Sequence, residues 1–577
     1  MKSLITKRQL LFVILVLLCG INPIYADTSK ELYVNCGNLS SLLPEGERFE
    51  ITDLTLSGQL NISDLEVIRQ MGGCHKSADS RYNGHLRYLD LSNAEFVGDG
   101  TFEFYGDNFI VTSQLNDGSG NYLFSDMKSL HTIKLPNSLE IMGGSLFDGC
   151  DSLTSVTLPK SLKNYGYYSF PADDNLTSIL IDDSNPYYSS DGSALFDKYK
   201  TKMLFAVKSL REYAIPSSVS EISDYAFYFC RHLKTLVLPL RLKSVYASHF
   251  PDCDSLYSIS VDEKNPYLCS DGSALYNKDK SELIFVCRTV RKMSIPSSVT
   301  KIGNYAFCNC RNLTSIELPS GVTKIGNNAF CDCRNLTSIE LPSGVTKIGD
   351  DAFSGCTNLS SLTLPSGVKE IGSEAFHGCK SLTSVTLPSG VKIGDMAFGD
   401  CTNLSSLTLP SDVKEIGFAA FYGCKSLTSV TLPSGVKDVA PFTFYDCESL
   451  RSINLPSDLK YISEEAFEGC TGLTSIYAFM EKPCKIEETT FDNETKINAT
   501  LYVPKGSLLD YWDDNQWKKF MNIEEFDVTS IGSLNTNAND VQEVSRYSDN
   551  GQRLNTPAKG LNIVKYNNGT VKKIMVK

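Results

Sequence analysis

Apolar residues recur along this chain in a 23-residue unit, clearest at Leu359, Leu362, Leu364, Val368, Ile371, Ala375, Phe376 and Cys379, with Ser, Thr, Gly and Lys between them. The phenylalanine of the unit falls at 124, 147, 170, 227, 250, 307, 330, 353, 376, 398, 421, 444 and 467. Its steps are 23, apart from one 22, where Val391-Lys392-Ile393 has lost a residue, and two jumps of 57, each 23 plus a 34-residue insertion.

Self-similarity at such a period marks a solenoid, because each unit has an apolar face that it buries only against a stacked neighbour. Within the unit, Leu359, Leu362 and Leu364 follow the L-x-x-L-x-L spacing of leucine-rich repeats, which predicts a short strand with one buried side. Pro365 ends that strand. The return path through Val368 and Ile371 is too short for a long helix, and predicts turns with a helical turn near Ala375-Phe376. The predicted fold is an α/β-type solenoid of 23-residue coils, short parallel strands plus turns or short helical segments, capped at both ends and followed by a small C-terminal β module.

Taken in order, residues 1–26 predict a signal peptide: Lys2, Lys7 and Arg8 precede the apolar run Leu10 to Leu18, and Ala26 offers a small residue for cleavage. Residues 27–121 predict an N-terminal cap and first irregular repeats, with a capping box of Ser63 and Glu66 before Leu65, Ile68 and Met71. The solenoid follows over 122–479. Its two insertions, near 182–207 and 262–287, resemble each other 80 residues apart: Asn185-Pro186-Tyr187-Tyr188 and Asp191-Gly192 against Asn265-Pro266-Tyr267-Leu268 and Asp271-Gly272. Asp-Gly between apolar-aromatic segments predicts a type I′ hairpin in each. Residues 480–527, which hold Trp512 and Trp517, predict a C-terminal cap, 528–542 a linker, and 543–577 a β module ending in a hairpin about Asn567-Asn568-Gly569.

Charge narrows the partners. Without the three basic residues of the leader, 51 of the 54 Lys and Arg face 67 Asp and Glu, a net of −16. Such a surface opposes phosphate backbones, so nucleic acid is not an expected partner. No later apolar run is long enough to span a bilayer.

Eleven cysteines (150, 230, 253, 310, 333, 356, 379, 401, 424, 447 and 470) share one repeat position, a ladder whose odd number precludes complete pairing. They are read as small buried hydrophobes with weak S–H donors. Cys308 and Cys331 add a second pair one coil apart, but C-x-C lacks the usual zinc spacing. Cys36 and Cys74 are a candidate staple for the N-terminal cap. The six histidines lie out of repeat phase, and the chain has no H-E-x-x-H, G-x-S-x-G, P-loop or G-x-G-x-x-G. No catalytic residue, cofactor or metal site is expected. Thr and Ser between the buried leucines, as at Thr383 and Ser384, make a hydroxyl ladder that could bind water, glycan or protein, but small β-compatible polar residues are what a solvated sheet face alone selects, and that reading is preferred.

The P-S-x-V-x-x-I-x-x-x-A-F-x-x-C-x-x-L unit, the N-P-Y and S-D-G insertions and Leu501-Tyr502-Val503-Pro504-Lys505-Gly506-Ser507 resemble the BspA-like leucine-rich repeat family of exported surface proteins over roughly residues 30–527. Val544 to Tyr547, Asn550-Gly551-Gln552-Arg553 and the terminal hairpin resemble the C-terminal sorting domains of the type IX secretion route. The resemblance implies a non-enzymatic protein at the outer cell surface or outside the cell. It implies adhesion to host or other bacterial proteins, with a glycan-binding or purely structural surface module as the alternative. Interface energy concentrates in Tyr, Trp and Arg, and insertions in solenoids map to one face. The expected ligand-contact residues are therefore Tyr167, Tyr168, Tyr187, Tyr188, Tyr267 and Tyr276 at and beside the insertions.

Overall fold

The computed structural model describes residues 27–77, 80–97, 100–104, 107–111, 122–165, 170, 175–527, 543–548, 553–554, 559–566 and 571–576. The leader, the linker, Tyr167, Tyr168 and the turn at 567–569 lie outside the described residues. Two compact units divide the chain, residues 1–268 and 269–577.

In the first unit the L-x-x-L-x-L runs form a six-stranded parallel sheet in chain order: Ser29–Val34, Asp53–Leu60, Tyr88–Phe96, Thr132–Lys134, Ser155–Leu158 and Ser178–Ile181. Apolar partners stack in register across it, Leu54 on Leu89, Leu89 on Ile133, Ile133 on Val156 and Val156 on Ile179. The second unit repeats the arrangement from Ser315–Glu317 onward, where Ile316, Ile339 and Leu362 are register partners and buried. Strands of one to three apolar side chains cannot bury a face alone. Stacking supplies the missing neighbour.

The fold is the expected leucine-rich repeat solenoid of 23-residue coils, built from short parallel strands and turns with little helix. The return path carries a second parallel strand of two residues, Lys301–Ile302, Lys324–Ile325, Lys347–Ile348, Glu370–Ile371 and Lys392–Ile393, each inserting one buried isoleucine. The helical turn expected at Ala375-Phe376 does not form. From Phe307 to Phe467 the residues two before and two after each spine phenylalanine are left-handed, Asp351 at φ 52 and Gly355 at φ 72 about Phe353, and no α-helix tolerates that. Instead the N–H groups of Asp351, Phe353 and Gly355 donate to the carbonyls of Ser373, Ala375 and His377 in the next coil, at 2.7–2.8 Å. Alternate backbone donors are thus satisfied between coils, and those between them, Ser354 and Cys356, by the Asp351 and Phe353 carbonyls of their own turn.

The core of the second unit is a phenylalanine column. Rings 307, 330, 353, 376, 398, 421, 444, 467 and 491 stack with centroids 4.7–5.7 Å apart and planes within 11°. The coil short of one residue keeps this column, with Phe376 and Phe398 5.2 Å apart. Gly390 absorbs the deletion: it turns left-handed at φ +68, whereas the equivalent Gly321, Gly344, Gly367 and Gly435 do not.

The ladder cysteines are all buried, and none is in a disulfide. Nine of the eleven thiols donate to the phenylalanine carbonyl of the preceding coil, Cys333 to Phe307 at 3.1 Å, Cys356 to Phe330 at 3.1 Å and Cys470 to Phe444 at 3.2 Å, while Cys230 and Cys310, which follow the insertions, reach the Val207 and Val286 carbonyls at 3.9 and 4.0 Å. Burial pushes the Cys356 and Cys401 thiols up to about 12, so they remain protonated. The ladder is therefore a set of small hydrophobes with one weak donor each.

Two details of the N-terminal cap differ from expectation. Helix Ile62–Met71 is capped by Asn61 with Asp64, not by Ser63 with Glu66. The buried Asp64 carboxylate also accepts the N–H groups of Gly37 and Leu39 at 2.7 and 2.9 Å, and that tertiary demand sets the register of the box. Cys36 is exposed, Cys74 is buried, and the expected disulfide between them does not form. At the other end, Asn493–Asn498, Leu508–Asp513 and Trp517–Lys519 are short helical segments flanking the final strands Thr500–Pro504 and Asn522–Phe526. Residues of the tail form a four-stranded antiparallel sheet, in which Glu543–Ser548 lies between Arg553–Leu554 and Gly560–Tyr566, and Val571–Val576 forms the far edge. Among the described residues no helix is long and apolar enough to cross a membrane.

Candidate functional site: an aromatic cleft beside the first insertion

The first insertion adds three antiparallel strands, Tyr188–Ser190, Ala194–Asp197 and Lys202–Ala206. The last of these pairs in parallel with the return strand Glu221–Ile222. The insertion thus widens the return-side sheet. Its turn is not type I′: Ser190 pairs with Leu195, four residues intervene, and only Gly192 is left-handed, at φ +91. Asp191 instead builds the turn with its carboxylate, accepting the N–H groups of Ser193 and Ala194 at 2.9 and 2.8 Å.

The N-P-Y motif proves to be an anchor. Asn185 is fully buried and uses its whole amide. Its Nδ2 donates to the carbonyls of Pro159 and Leu162, at 3.1 and 2.9 Å, and its Oδ1 accepts the N–H groups of Tyr187 and Tyr188 at 2.8 Å. Asn265 repeats the same four bonds with Pro239, Leu242, Tyr267 and Leu268. Anchoring through the asparagine leaves the following side chain, Tyr187 or Tyr267, half out in solvent.

Between the insertion and the coils on either side of it lies a cleft of about 620 Å³. Tyr165 and Tyr188 form one wall, their rings 6.0 Å apart and edge-on, with the Tyr188 hydroxyl donating to the Lys163 carbonyl at 2.7 Å. Tyr225 and Tyr228 form another, 5.8 Å apart and also edge-on, and Tyr246 stands at the rim. Phe170 and Phe205 contribute a stacked pair at 4.7 Å. Charge around the cleft is balanced: Lys202 pairs with Glu221, and the Lys208 ammonium lies 5.2 Å from the centre of the Phe229 ring.

His249 and Lys208 are the buried polar groups lining the cleft. His249 stands where most coils have alanine before the spine phenylalanine, in the only helical turn described within the coils, Ala247–His249. Its Nδ1 accepts the Tyr246 N–H at 3.3 Å, so the proton sits on Nε2, which faces Asp224 at 3.5 Å. Burial holds its pKa below the usual histidine value despite the opposing pull of Asp224. Both ring nitrogens are occupied in positioning Tyr246 and Asp224. Neither faces a nucleophile, so this arrangement can shape a surface but has no group poised to activate another.

The expected contact residues are therefore divided. Tyr188 lines the cleft, Tyr187 and Tyr267 are exposed, and Tyr276 is fully buried with its hydroxyl on Asp271 at 2.8 Å. Tyr276 is thus a core residue of its coil and is corrected out of the contact set. Tyr225, Tyr228, Tyr246 and His249 complete the cleft from coils outside the insertion. The hydroxyl ladder is partly spent: Thr337, Ser360 and Thr428 donate to the carbonyls of Thr314, Thr337 and Ser405 at 3.2–3.4 Å. Among the described residues no group of three or more His, Cys, Asp or Glu could hold a metal ion.

The chain is similar in structure to a leucine-rich repeat protein from Eubacterium ventriosum, at 23% identity over 59% of this chain and 83% of that one, with a TM-score of 0.40. It is similar to a leucine rich cell surface protein from Faecalibacterium prausnitzii, at 25% identity over 60% and 79%, TM-score 0.32. A leucine-rich repeat protein from Bacteroides ovatus matches at 22% identity over 75% and 92%, TM-score 0.29. No curated protein sequence matches. The model of the BspA type leucine rich repeat region matches residues 97–196, 198–271, 279–404 and 391–511, well over half of the sequence. The chain belongs to the BspA-type leucine-rich repeat family.

Proposed function

We propose that this is a non-enzymatic, exported surface protein that binds extracellular proteins of a host or of other bacteria, with the tyrosine cleft as its specific contact. The cleft is the observation that carries this reading: five tyrosines and a positioned histidine converge there. The regular coils of the second unit instead present short hydroxyls, several already bonded to backbone. Large, rigid aromatic side chains supply contact area at low entropy cost and dominate interface energies. Tyr225 and Tyr246 are 50% and 61% exposed, so they are available without unfolding.

The test is binding of the mature chain to immobilised extracellular proteins, beside a glycan array. Tyr225→Ala with Tyr246→Ala should weaken protein binding roughly 10- to 30-fold, as loss of a hot spot does, with little change in melting temperature. Thr383→Ala with Ser384→Ala should bind normally. Binding to glycans alone would favour the glycan reading. Normal binding by the tyrosine variant, with loss in the hydroxyl variant, would move the contact to the regular coils.

Export and display belong to the same proposal. The basic and apolar leader supports cleavage after Ala26, and the four-stranded antiparallel sheet over the last residues supports a separate sorting module. Deleting residues 543–577 should leave a folded solenoid retained before the outer surface in the native host. Undiminished display of the truncated chain would remove the sorting role.

A further inference from the structure

Among the cysteines outside the buried ladder, two sit at one repeat position in adjacent coils. Cys308 and Cys331 directly follow the spine residues Phe307 and Phe330 and are only half-buried. We propose that Cys308 and Cys331 are a modification site: an oxidisable thiol pair that a small-molecule disulfide converts into a covalent cross-link between two adjacent coils.

Register brings the pair together. Phe307 and Asn309 donate their N–H groups to the carbonyls of Ala329 and Cys331, at 2.7 and 2.8 Å, so the backbone is pinned to the next coil on both sides of Cys308. The Phe307 and Phe330 rings beside it stack at 4.7 Å with an 8° tilt, which measures the local coil spacing. A disulfide needs Cα atoms roughly 4.4–6.8 Å apart, and this spacing lies inside that range. The same repeat position brings side chains into contact elsewhere in the unit. The Tyr422 and Tyr445 rings stack at 5.3 Å with an 8° tilt, and a Cβ built on Gly399 would lie 2.9 Å from His377 Cδ2.

The local chemistry suits attack by one thiol and resolution by the other. Interaction with the Cys331 thiol, outweighing burial and helped by the Arg288 guanidinium, holds Cys308 below the ordinary thiol value. The Asn309 amide also donates to Cys308 Sγ, at 3.5 Å. Cys331 stays protonated, its value raised by the same interaction and by burial. Neighbouring Cys310 and Cys333 are equally close in register but are fully buried, with raised values, and Cys333 is bonded to a carbonyl. They lack both the thiolate and the access that exchange requires.

In the first step the Cys308 thiolate attacks one sulfur of the small disulfide. A mixed disulfide forms and one small thiolate leaves, taking up the proton that Cys308 gave to solvent. Cys331 then loses its proton, attacks the Cys308 sulfur and expels the second small thiol. Two protein thiols are oxidised, one disulfide is reduced to two thiols, and no other reactant is needed. The product ties together the first two regular coils after the second insertion. This inference does not depend on the binding proposal.

The test uses the folded mature chain with oxidised glutathione as the probe, followed by alkylation, denaturation and peptide mapping. Before oxidation, Cys308 should alkylate at least about tenfold faster than the ladder thiols, as thiolate character and access dictate. After oxidation the chain should lose the mass of two hydrogen atoms and yield one linked pair of peptides, spanning Cys308 and Cys331, reversible by dithiothreitol. Cys331→Ser should halt the reaction with glutathione retained on Cys308. That variant should fold, because Ser354 occupies the same position in the next coil. A wild-type chain that keeps glutathione on Cys308, oxidises its ladder thiols instead, or leaves both cysteines alkylatable would overturn the proposal.

Discussion

Phe353→Ala should destabilise the second unit by roughly 3–5 kcal/mol, the range for truncating a buried aromatic. Ser361→Ala, on the exposed strand face of the next coil, should stay within about 0.5 kcal/mol. Phe353 is fully buried between Phe330 and Phe376, at 5.1 and 5.2 Å with both tilts 2°. Removing one ring from a column deprives two neighbours of a stacking face. It also leaves a void that a continuous spine cannot close from the side. The Phe353 carbonyl meanwhile anchors the Cys379 thiol at 3.3 Å, so any backbone relaxation toward the void strains the cysteine ladder. Because solenoid stability is a sum of coil and interface terms, the loss should appear in the transition of the coils around 330–376. Urea denaturation with hydrogen exchange would locate it. Comparable losses from Phe353→Ala and Ser361→Ala would mean that the inward and outward faces of the coil are reversed.

The column was legible because one large residue recurs at a fixed period and the structure needs nothing else to define it. The return strand was not: Lys347–Ile348 is two residues long, below the length at which alternation can be distinguished from a turn. The left-handed residues flanking each phenylalanine were also partly hidden. Those two before it are Asp351, Glu374, Met396 and Ala419 in successive coils, types that carry no common turn signal, whereas those two after it, Gly355, Gly378, Asp400 and Gly423, are of the glycine and aspartate types that left-handed backbone favours. At the insertions the repeated Asn-Pro-Tyr marked a shared role. Its content, an asparagine making four buried hydrogen bonds, lies in contacts one coil away.

The cleft illustrates the same limit. Tyr188 and Tyr276 read alike in sequence, yet one lines the cleft and the other is core, because Tyr276 takes the place held by the fully buried Phe196 in the first insertion. His249 did carry a usable signal. A histidine at the position held by Ala226, Ala306, Ala329, Ala352 and Ala375 must either find polar partners or push the coil open, and here Tyr246 and Asp224 supply them.

Trp517→Ala should cost roughly 3–5 kcal/mol and release the C-terminal cap, whereas Trp512→Ala should change stability by less than about 0.5 kcal/mol. The sequence places both tryptophans in the cap, but the structure gives them opposite settings. Trp512 is 53% exposed, while Trp517 is fully buried and donates Nε1–H to the Cys484 carbonyl at 2.8 Å. Its ring lies 6.1 Å from Phe491, the last member of the phenylalanine column, 5.8 Å from Phe520 and 5.6 Å from Tyr511. An end coil has an apolar face with no following coil to cover it, and Trp517 is the largest group filling that place. Truncation exposes Phe491 and leaves the Cys484 carbonyl without its donor. Trp517→Phe should fall between the two, because it keeps a ring against Phe491 and forfeits the hydrogen bond, about 1–3 kcal/mol for a buried group left unsatisfied. Each single-tryptophan variant also isolates one fluorophore. The Trp512→Ala protein should emit from a buried indole until the cap melts, and the Trp517→Ala protein should emit from a hydrated one throughout. If Trp517→Ala unfolds with the wild-type transition, the last coil is closed by the strands Thr500–Pro504 and Asn522–Phe526, and the indole is incidental to the cap.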